Sequence, residues 1–116
     1  MEEITRTIAK LAELIGAEIV TKDVDLEREV TCGYACDLLS WVMARGKEGM
    51  AWITVQAHMN VIAVAVLADM SCIIAPEGVK FDADVAEKAA EEGIALLTCE
   101  KSAYTLAGIM SANGIA

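Results

Sequence analysis

The sequence predicts an α/β fold, with residues 1–116 forming a single three-layer domain in which a mainly parallel sheet of about five short strands is flanked by helices. Helical and strand segments alternate along the chain with short connections, which is the pattern of such folds. The later strand segments are continuously apolar, as expected for a parallel sheet covered on both faces. A chain of 116 residues buries enough surface for one ordinary core, so a second domain is not expected.

Residues 1–16 are predicted to form an N-terminal helix that precedes an α/β core at residues 17–113. Gly16 follows the helical pattern, where a left-handed C-cap is expected. The helix is predicted from apolar residues that recur at helical spacing: Ile4, Ile8, Leu11, Ala12 and Ile15. The core then opens with two segments that are typical of strands, AEIVT at 17–21 and REVTC at 28–32.

The second helix is predicted over 37–45, because Asp37 is a good N-cap and Arg45 places a cation at the helix end. The segment MAWITVQ at 50–56 is rich in residues that favour strands. The apolar run NVIAVAVLAD at 60–69 is predicted to be a helix from its length.

The strand SCIIA at 71–75 is expected to stop at Pro76. A helix follows in DVAEKAAEEG, because Asp82 and Asp84 place negative charge at its start, where the helix dipole favours it. IALLT at 94–98 is the last predicted strand. Ser102 is expected to cap a final helix that runs to about Asn113.

Right-handed crossovers place the functional loops of such a fold at the carboxyl ends of the strands. In this chain those loops are predicted to be CGYACD, QAHMN, PEGVK and TCEKS. We interpret the stretch TCGYACD at 31–37 as a turn that helps to build a ligand-binding rim at this edge.

The net charge of −9 disfavours nucleic acid or an anionic membrane as a partner, since both select clustered Lys and Arg. The longest apolar run, VIAVAVLA at 61–68, is much shorter than the roughly 20 residues needed to cross a bilayer. The first residues, MEEITRTIAK, lack a basic start followed by an apolar block, so no secretory signal is expected. A cytoplasmic location is therefore predicted.

The four cysteines do not have the spacing of a zinc ribbon or an iron–sulfur cluster, so no metal site is predicted. They are Cys32, Cys36, Cys72 and Cys99. Free thiols commonly pack as small apolar side chains, and we expect that role here. An alternative stays open, in which Cys32, Cys36 and Cys99 converge with His58 and bind a soft metal.

No catalytic motif is apparent. The chain has neither GxxxxGK[ST] nor GxGxxG, which excludes a P-loop nucleotide hydrolase and the dinucleotide fingerprint. A nucleophilic pair of a cysteine with His58 remains as a third hypothesis, although no orienting partner or oxyanion motif accompanies it. The chain is thus predicted not to be an enzyme, and the sequence identifies no cofactor.

From about residue 17 to 113 the chain resembles the DRTGG domain family, small α/β regulatory modules attached to phosphotransacetylases and CBS-containing pyrophosphatases or occurring alone. The landmarks that match in order are CGYACD, GKEGMAWIT, NVIAVAVLAD, CIIAPEG, EEGIALLT and SAYTLAGIM. The namesake residues differ. QAHMN stands near the position of the family's Asp-Arg-Thr, and PEG stands where its paired glycines end the fourth strand.

This resemblance implies a homodimeric module that senses a small ligand, such as a nucleotide, or docks against a protein partner. It also suggests an alternative, a thiol-based redox or metal-binding accessory protein, because similar stand-alone proteins occur beside hydrogenase-type genes in anaerobes. The predicted second helix agrees with association, since its apolar surface is wider than one stripe requires: Leu38, Leu39, Trp41, Val42 and Met43. The competing interpretation is that this helix lies deep in the core of a monomer.

Five residues are predicted to bind the ligand at the rim: Gly33, Tyr34, His58, Asn60 and Thr98. Gly33 is expected to permit a close backbone turn, and Tyr34 to stack on a ring of the ligand. His58 and Asn60 are expected to hold an anionic group at a helix start.

Overall fold

The structure, a computed structural model, describes residues 6–116, in which five helices and five strands alternate except that the first two strands follow one another. The helices are α1 (Ile8–Ile15), α2 (Leu39–Arg45), α3 (Asn60–Ala68), α4 (Ala83–Glu91) and α5 (Ala103–Ala112). The strands are β1 (Glu18–Ile19), β2 (Cys32–Ala35), β3 (Met50–Ile53), β4 (Cys72–Ala75) and β5 (Ala95–Thr98).

The five strands form one sheet in the order β1-β5-β4-β3-β2. The strands β2 to β5 are parallel, whereas β1 pairs antiparallel with β5 at the edge. The predicted mainly parallel α/β architecture is confirmed. The strand predicted at 17–21 shrinks to two paired residues, and it runs opposite to the other four.

Helices cover both faces of the sheet and make two cores. On one face, side chains of α1 and α5 pack against alternate strand residues such as Ile53, Ile74 and Leu97. On the other face, α2, α3 and α4 pack against Trp52, Ile73 and Leu96. Because successive strand residues point to opposite faces, strands that are buried on both sides must be apolar throughout.

The predicted N-terminal helix begins at Ile8, with Thr7 as its N-cap, and Ile4 lies outside the described residues. The side chain of Thr7 accepts a hydrogen bond from the Lys10 amide at 3.1 Å. Gly16 closes the helix in the left-handed conformation, with φ of 69°, as its sequence position predicts.

The prediction of a strand at 28–32 followed by a turn was wrong. The strand β2 begins at Cys32, so most of the supposed turn is the strand itself. The preceding residues pair instead with the start of α1, where Ile8 donates its amide to Arg28 O at 3.0 Å and Val30 donates to Arg6 O at 2.6 Å. Residues 28–30 thus form extended backbone against the start of α1, whereas the parallel pairing with β3 begins at Cys32.

The strand β3 stops at Ile53, three residues before its predicted end. At the last helix the prediction is confirmed, since Ser102 is the N-cap and its side chain accepts from the Thr105 amide at 3.2 Å. Within residues 6–116, no helix combines the length and the apolar composition needed to span a membrane.

Candidate functional site

The four parallel strands end at one edge of the sheet. In the register of the strands, Ala35 lies beside Ile53, and Ala75 lies beside Thr98. The loops that follow β2, β3, β4 and β5 therefore leave from the same edge, where parallel α/β sheets bind their ligands.

Gly33 and Tyr34 lie inside β2. Because they are adjacent in a strand, their side-chain positions point to opposite faces of the sheet. Tyr34 is half-buried and packs on the face that α2 covers. On the opposite face, a Cβ at Gly33 would lie 2.9 Å from Cε of Met110 in α5. The expected role of Gly33 in a turn is thus wrong, because its missing side chain makes room for helix packing.

His58 and Asn60 are brought together at the start of α3, where they flank the N-cap residue Met59. Both side chains are exposed. No side chain caps this end of α3. The amides of Val61 and Ile62 donate to the His58 and Met59 carbonyls at 3.1 Å. The start of a helix still carries partial positive charge, and an imidazole and a carboxamide beside it suit an anionic group.

Thr98 does not join this pair. It ends β5, which β4 separates from β3, so roughly 10 Å of sheet lies between them at ~4.8 Å per strand. Thr98 instead lines a small crevice of about 160 Å³ with Gly78, Lys80 and Glu100. The predicted rim is therefore divided between two places along the edge.

Asp37 organises the loops after β2 and β3, a role that the sequence did not reveal. Its Oδ1 atom accepts from the hydroxyl of Thr54 at 2.8 Å and from the Val55 amide at 2.9 Å. The predicted capping of α2 by Asp37 is wrong, since Leu38 occupies the N-cap position without a side-chain hydrogen bond. The turn fixed by Asp37 ends β3 at Ile53 and sets the path towards His58.

The cysteines do not converge. Cys32 and Cys36 lie at the β2 edge of the sheet, whereas Cys99 follows β5 and packs on the opposite face. The Cys99 thiol donates to Ile15 O at 3.4 Å, at the end of α1. In residues 6–116 there is no group of three His, Cys, Asp or Glu side chains placed to hold a metal ion. The soft-metal alternative has no geometric basis in this arrangement.

Cys72 is fully buried in β4, and burial raises the pKa of its thiol to about 12, against an opposing effect of Arg28. Such a thiol stays protonated at neutral pH and is a poor nucleophile. The sulfur atom of Cys36 is 3.9 Å from Leu38 O. In the described part of the chain, no hydrogen bond joins His58 to a cysteine. The hypothesis of a Cys–His nucleophile therefore gains no support.

Most of the exposed apolar surface belongs to α2, α3 and the loops before them. Of the nine large apolar side chains exposed in residues 6–116, seven lie there: Leu38, Trp41, Met43, Val55, Met59, Val66 and Leu67. The helix α2 buries only Val42 completely. The interpretation of α2 as a helix deep inside a monomer is therefore wrong.

One solved structure with a similar fold is the crystal structure of the CBS and DRTGG domains of the regulatory region of Clostridium perfringens pyrophosphatase, complexed with the activator diadenosine tetraphosphate. The TM-score is 0.73 at 16% sequence identity, and the match covers 90% of this chain. The fold is DRTGG-like. No protein-family model matches the chain, and no curated protein matches it either.

The match covers 45% of the Clostridium perfringens chain, so this protein spans less than half of its length. At this identity the likeness concerns the fold alone. The DRTGG-like fold nevertheless agrees with the landmarks in the sequence, from CGYACD in β2 to SAYTLAGIM in α5.

Proposed function

We propose that this protein is a non-catalytic regulatory domain that senses a small anionic ligand, such as a nucleotide, and acts as a homodimer. The observation that carries the proposal is the DRTGG-like fold, which it shares with a pyrophosphatase regulatory region at a TM-score of 0.73. That region was crystallised with a nucleotide activator, diadenosine tetraphosphate. A regulatory role extends from that protein to this chain as our proposal.

The proposed ligand site is the edge of the sheet around the start of α3. His58 and Asn60 bind the anionic group at the positive end of the α3 dipole. Tyr34 contributes its half-buried ring from β2, and Gly33 keeps β2 close to α5. Thr98 borders the neighbouring crevice, so it contacts the ligand only if the ligand extends across β4.

The net charge of −9 opposes a bound anion, so the favourable charge at this rim has to come from the start of α3. The carboxylate of Asp37 is held in the turn after β3, where its Oδ1 atom accepts from the Thr54 hydroxyl and the Val55 amide.

A thermal-shift screen of nucleotides and phosphometabolites tests the proposal. A ligand that binds only the native state at 100 times its Kd stabilises the protein by about 2.7 kcal/mol, which raises the melting temperature. We expect His58→Ala/Asn60→Ala to lower the affinity at least ~10-fold, as the loss of two polar contacts implies. Ser40→Ala, an exposed change on α2, is the matched control and keeps the affinity.

Two results would count against this function. If no nucleotide or phosphometabolite shifts the melting temperature at millimolar concentration, the domain is not a sensor of these ligands, and docking to a protein partner becomes the better hypothesis. If a ligand binds but the double variant keeps full affinity, the site lies elsewhere. Thr98→Val tests whether the ligand occupies the crevice, because the variant loses the hydroxyl with little change in side-chain shape. A lower ligand affinity of this variant would place the ligand there.

A further inference from the structure

The helix α3 has no polar face. Its sequence is NVIAVAVLA, and the side that meets the sheet and its neighbouring helices buries Val61, Ile62, Val64 and Ala65. The remaining side carries Ala63, Val66 and Leu67, which are exposed, with Leu67 exposed by 73%. Surface helices of soluble proteins carry charged or polar residues on that side, whereas a helix that is apolar all round is normally buried.

The exposed side of α3 borders an apolar groove. The groove has a volume of about 360 Å³ and lies between α3 and α4. Lys88 and Glu92 of α4 form its charged wall and pair with each other at 3.2 Å. Its apolar lining comes from α3 and its N-cap: Met59, Ile62, Ala63, Val66 and Leu67. We call this set of residues the α3 face.

We propose that a second copy of this chain docks on the α3 face, so that two α3 helices pack across a two-fold axis. A two-fold interface must be complementary to itself, because the same residues lie on both sides. The α3 face meets this condition, since the projecting Leu67 and the hollow beside the small Ala63 lie on one helix, four residues apart. In an antiparallel pair, Leu67 of each copy fits beside Ala63 of the other.

Charge favours a second copy over a charged partner. Each chain carries a net charge of −9, so two copies repel each other across most of their surface. Among the described residues, the charged ones that line the groove beside the α3 face are Lys88 and Glu92, which are of opposite sign and already paired. This neutral, apolar patch is therefore suited to close contact between like molecules, and it offers nothing to a basic protein or an anionic lipid.

The available area is close to what a dimer needs. The seven exposed apolar side chains on α2, α3 and their preceding loops present roughly 400–700 Å² in total, if each presents on the order of 60–100 Å². A stable interface buries about 800 Å² on each partner, including polar atoms at its rim. The α3 face, extended onto the adjoining α2, supplies the apolar part of such an interface.

The α3 face also touches the proposed ligand site, and this step rests on the proposed function. Met59 belongs to the groove, while its neighbours His58 and Asn60 belong to the rim. Docking of a second copy fixes Met59 and therefore the start of α3. By linkage, a ligand at the rim then changes the dimer Kd by the same factor as dimerisation changes the ligand Kd.

The experiment is sedimentation equilibrium of the full chain without ligand, comparing the wild type with Leu67→Glu and Tyr104→Glu. Leu67 is mostly solvent-exposed, so a glutamate there is tolerated by the folded monomer, and circular dichroism verifies this. Tyr104, exposed by 89% on α5, is the matched control outside the α3 face. We expect a wild-type dimer, at least a ~100-fold higher Kd for Leu67→Glu because an unpaired charge is buried, and no change for Tyr104→Glu.

A wild type that stays monomeric at about 100 µM, where even a weak interface of Kd near 10⁻⁴ M is visibly populated, overturns the proposal. So does a dimer that Leu67→Glu and Ala63→Glu leave intact, since the contact must then lie on another surface. Because no ligand is present, these outcomes are independent of the thermal-shift screen. If sedimentation shows the dimer but no ligand shifts the melting temperature, the sensing function is wrong and the proposed interface is still supported.

Discussion

At the scale of single residues, Asp37 shows how one side chain changes partner between a sequence-based expectation and the folded chain. The sequence places it where helix caps occur, directly before an apolar helical run. In the structure its carboxylate binds Thr54 and Val55 after the neighbouring strand, at 2.8 and 2.9 Å. Only the parallel pairing of β2 with β3 brings those groups within reach.

This assignment predicts the effect of changes at Asp37. Asp37→Ala should lower the free energy of unfolding by about 1–2 kcal/mol, since hydrogen bonds to a charged group are lost at a partly exposed site. Asp37→Ser separates the two interpretations, because serine is a good N-cap but its shorter side chain does not reach Thr54. We expect Ser to be as destabilising as Ala, measured by urea denaturation, with Ser40→Ala as control. Full stability of the serine variant would restore the capping role.

At the scale of elements, α2 is the least anchored helix of its face. It is seven residues long and fully buries Val42 alone, whereas α3 buries four side chains. Leu38, Trp41 and Met43 remain exposed, and the Arg45 guanidinium lies over the Trp41 ring at 4.6 Å from its centroid. Short helices gain most of their stability from tertiary packing, so little holds α2 in place in a single chain.

Hydrogen exchange tests this difference. In the monomeric Leu67→Glu variant, amides of α2 should exchange at least ~10-fold faster than those of α3, because α2 opens locally at a lower free-energy cost. Mass spectrometry of peptides covering Leu39–Arg45 and Asn60–Ala68 provides the comparison. Equal protection of the two helices would show that α2 is held by contacts stronger than its single buried side chain.

At the scale of the whole molecule, net charge and exposed apolar surface have opposite effects on the association of two copies. The charge of −9 keeps copies apart, while the exposed apolar surface on α2 and α3 favours their association. Both properties belong to the same small chain. The dimer is expected to form through the α3 face, because Glu92, which lines the groove beside it, is paired with Lys88.

The balance predicts the response of the dimer to salt. Raising NaCl from about 0.05 to about 0.5 M screens the repulsion between the two acidic copies and leaves apolar contact largely unchanged. The dimer Kd should therefore fall by roughly 3–10-fold over this range. Sedimentation at both salt concentrations measures it. A Kd that rises with salt would mean that pairs of opposite charge, rather than apolar contact, stabilise the dimer.

The order and type of the elements could be predicted from the sequence because their signals are local. Gly16 and Ser102 mark helix ends through their own backbone and side-chain chemistry, and both act as predicted. The continuous apolar runs of β4 and β5 predicted strands buried on both faces. The common carboxyl edge followed from the handedness of the crossovers.

The rest depended on pairing between segments distant in the chain. The direction of β1 is set by its pairing with β5, which lies nearly 80 residues further along the chain. The residue types of Glu18 and Ile19 do not indicate that direction. The start of β2 depends on residues 28–30 pairing with the start of α1 instead of with β3. Likewise His58 and Asn60 share the start of one helix, whereas Thr98 lies two strands away.

The sequence by itself thus determined the fold class, because periodicity and composition encode which side chains must be buried. Only the tertiary structure decided which apolar residues stay exposed and which polar groups meet at the edge of the sheet. An amphipathic pattern identifies a face that needs covering, but α3 is apolar on every side. Its uncovered face could be recognised only once the sheet, α2 and α4 had taken their places around it.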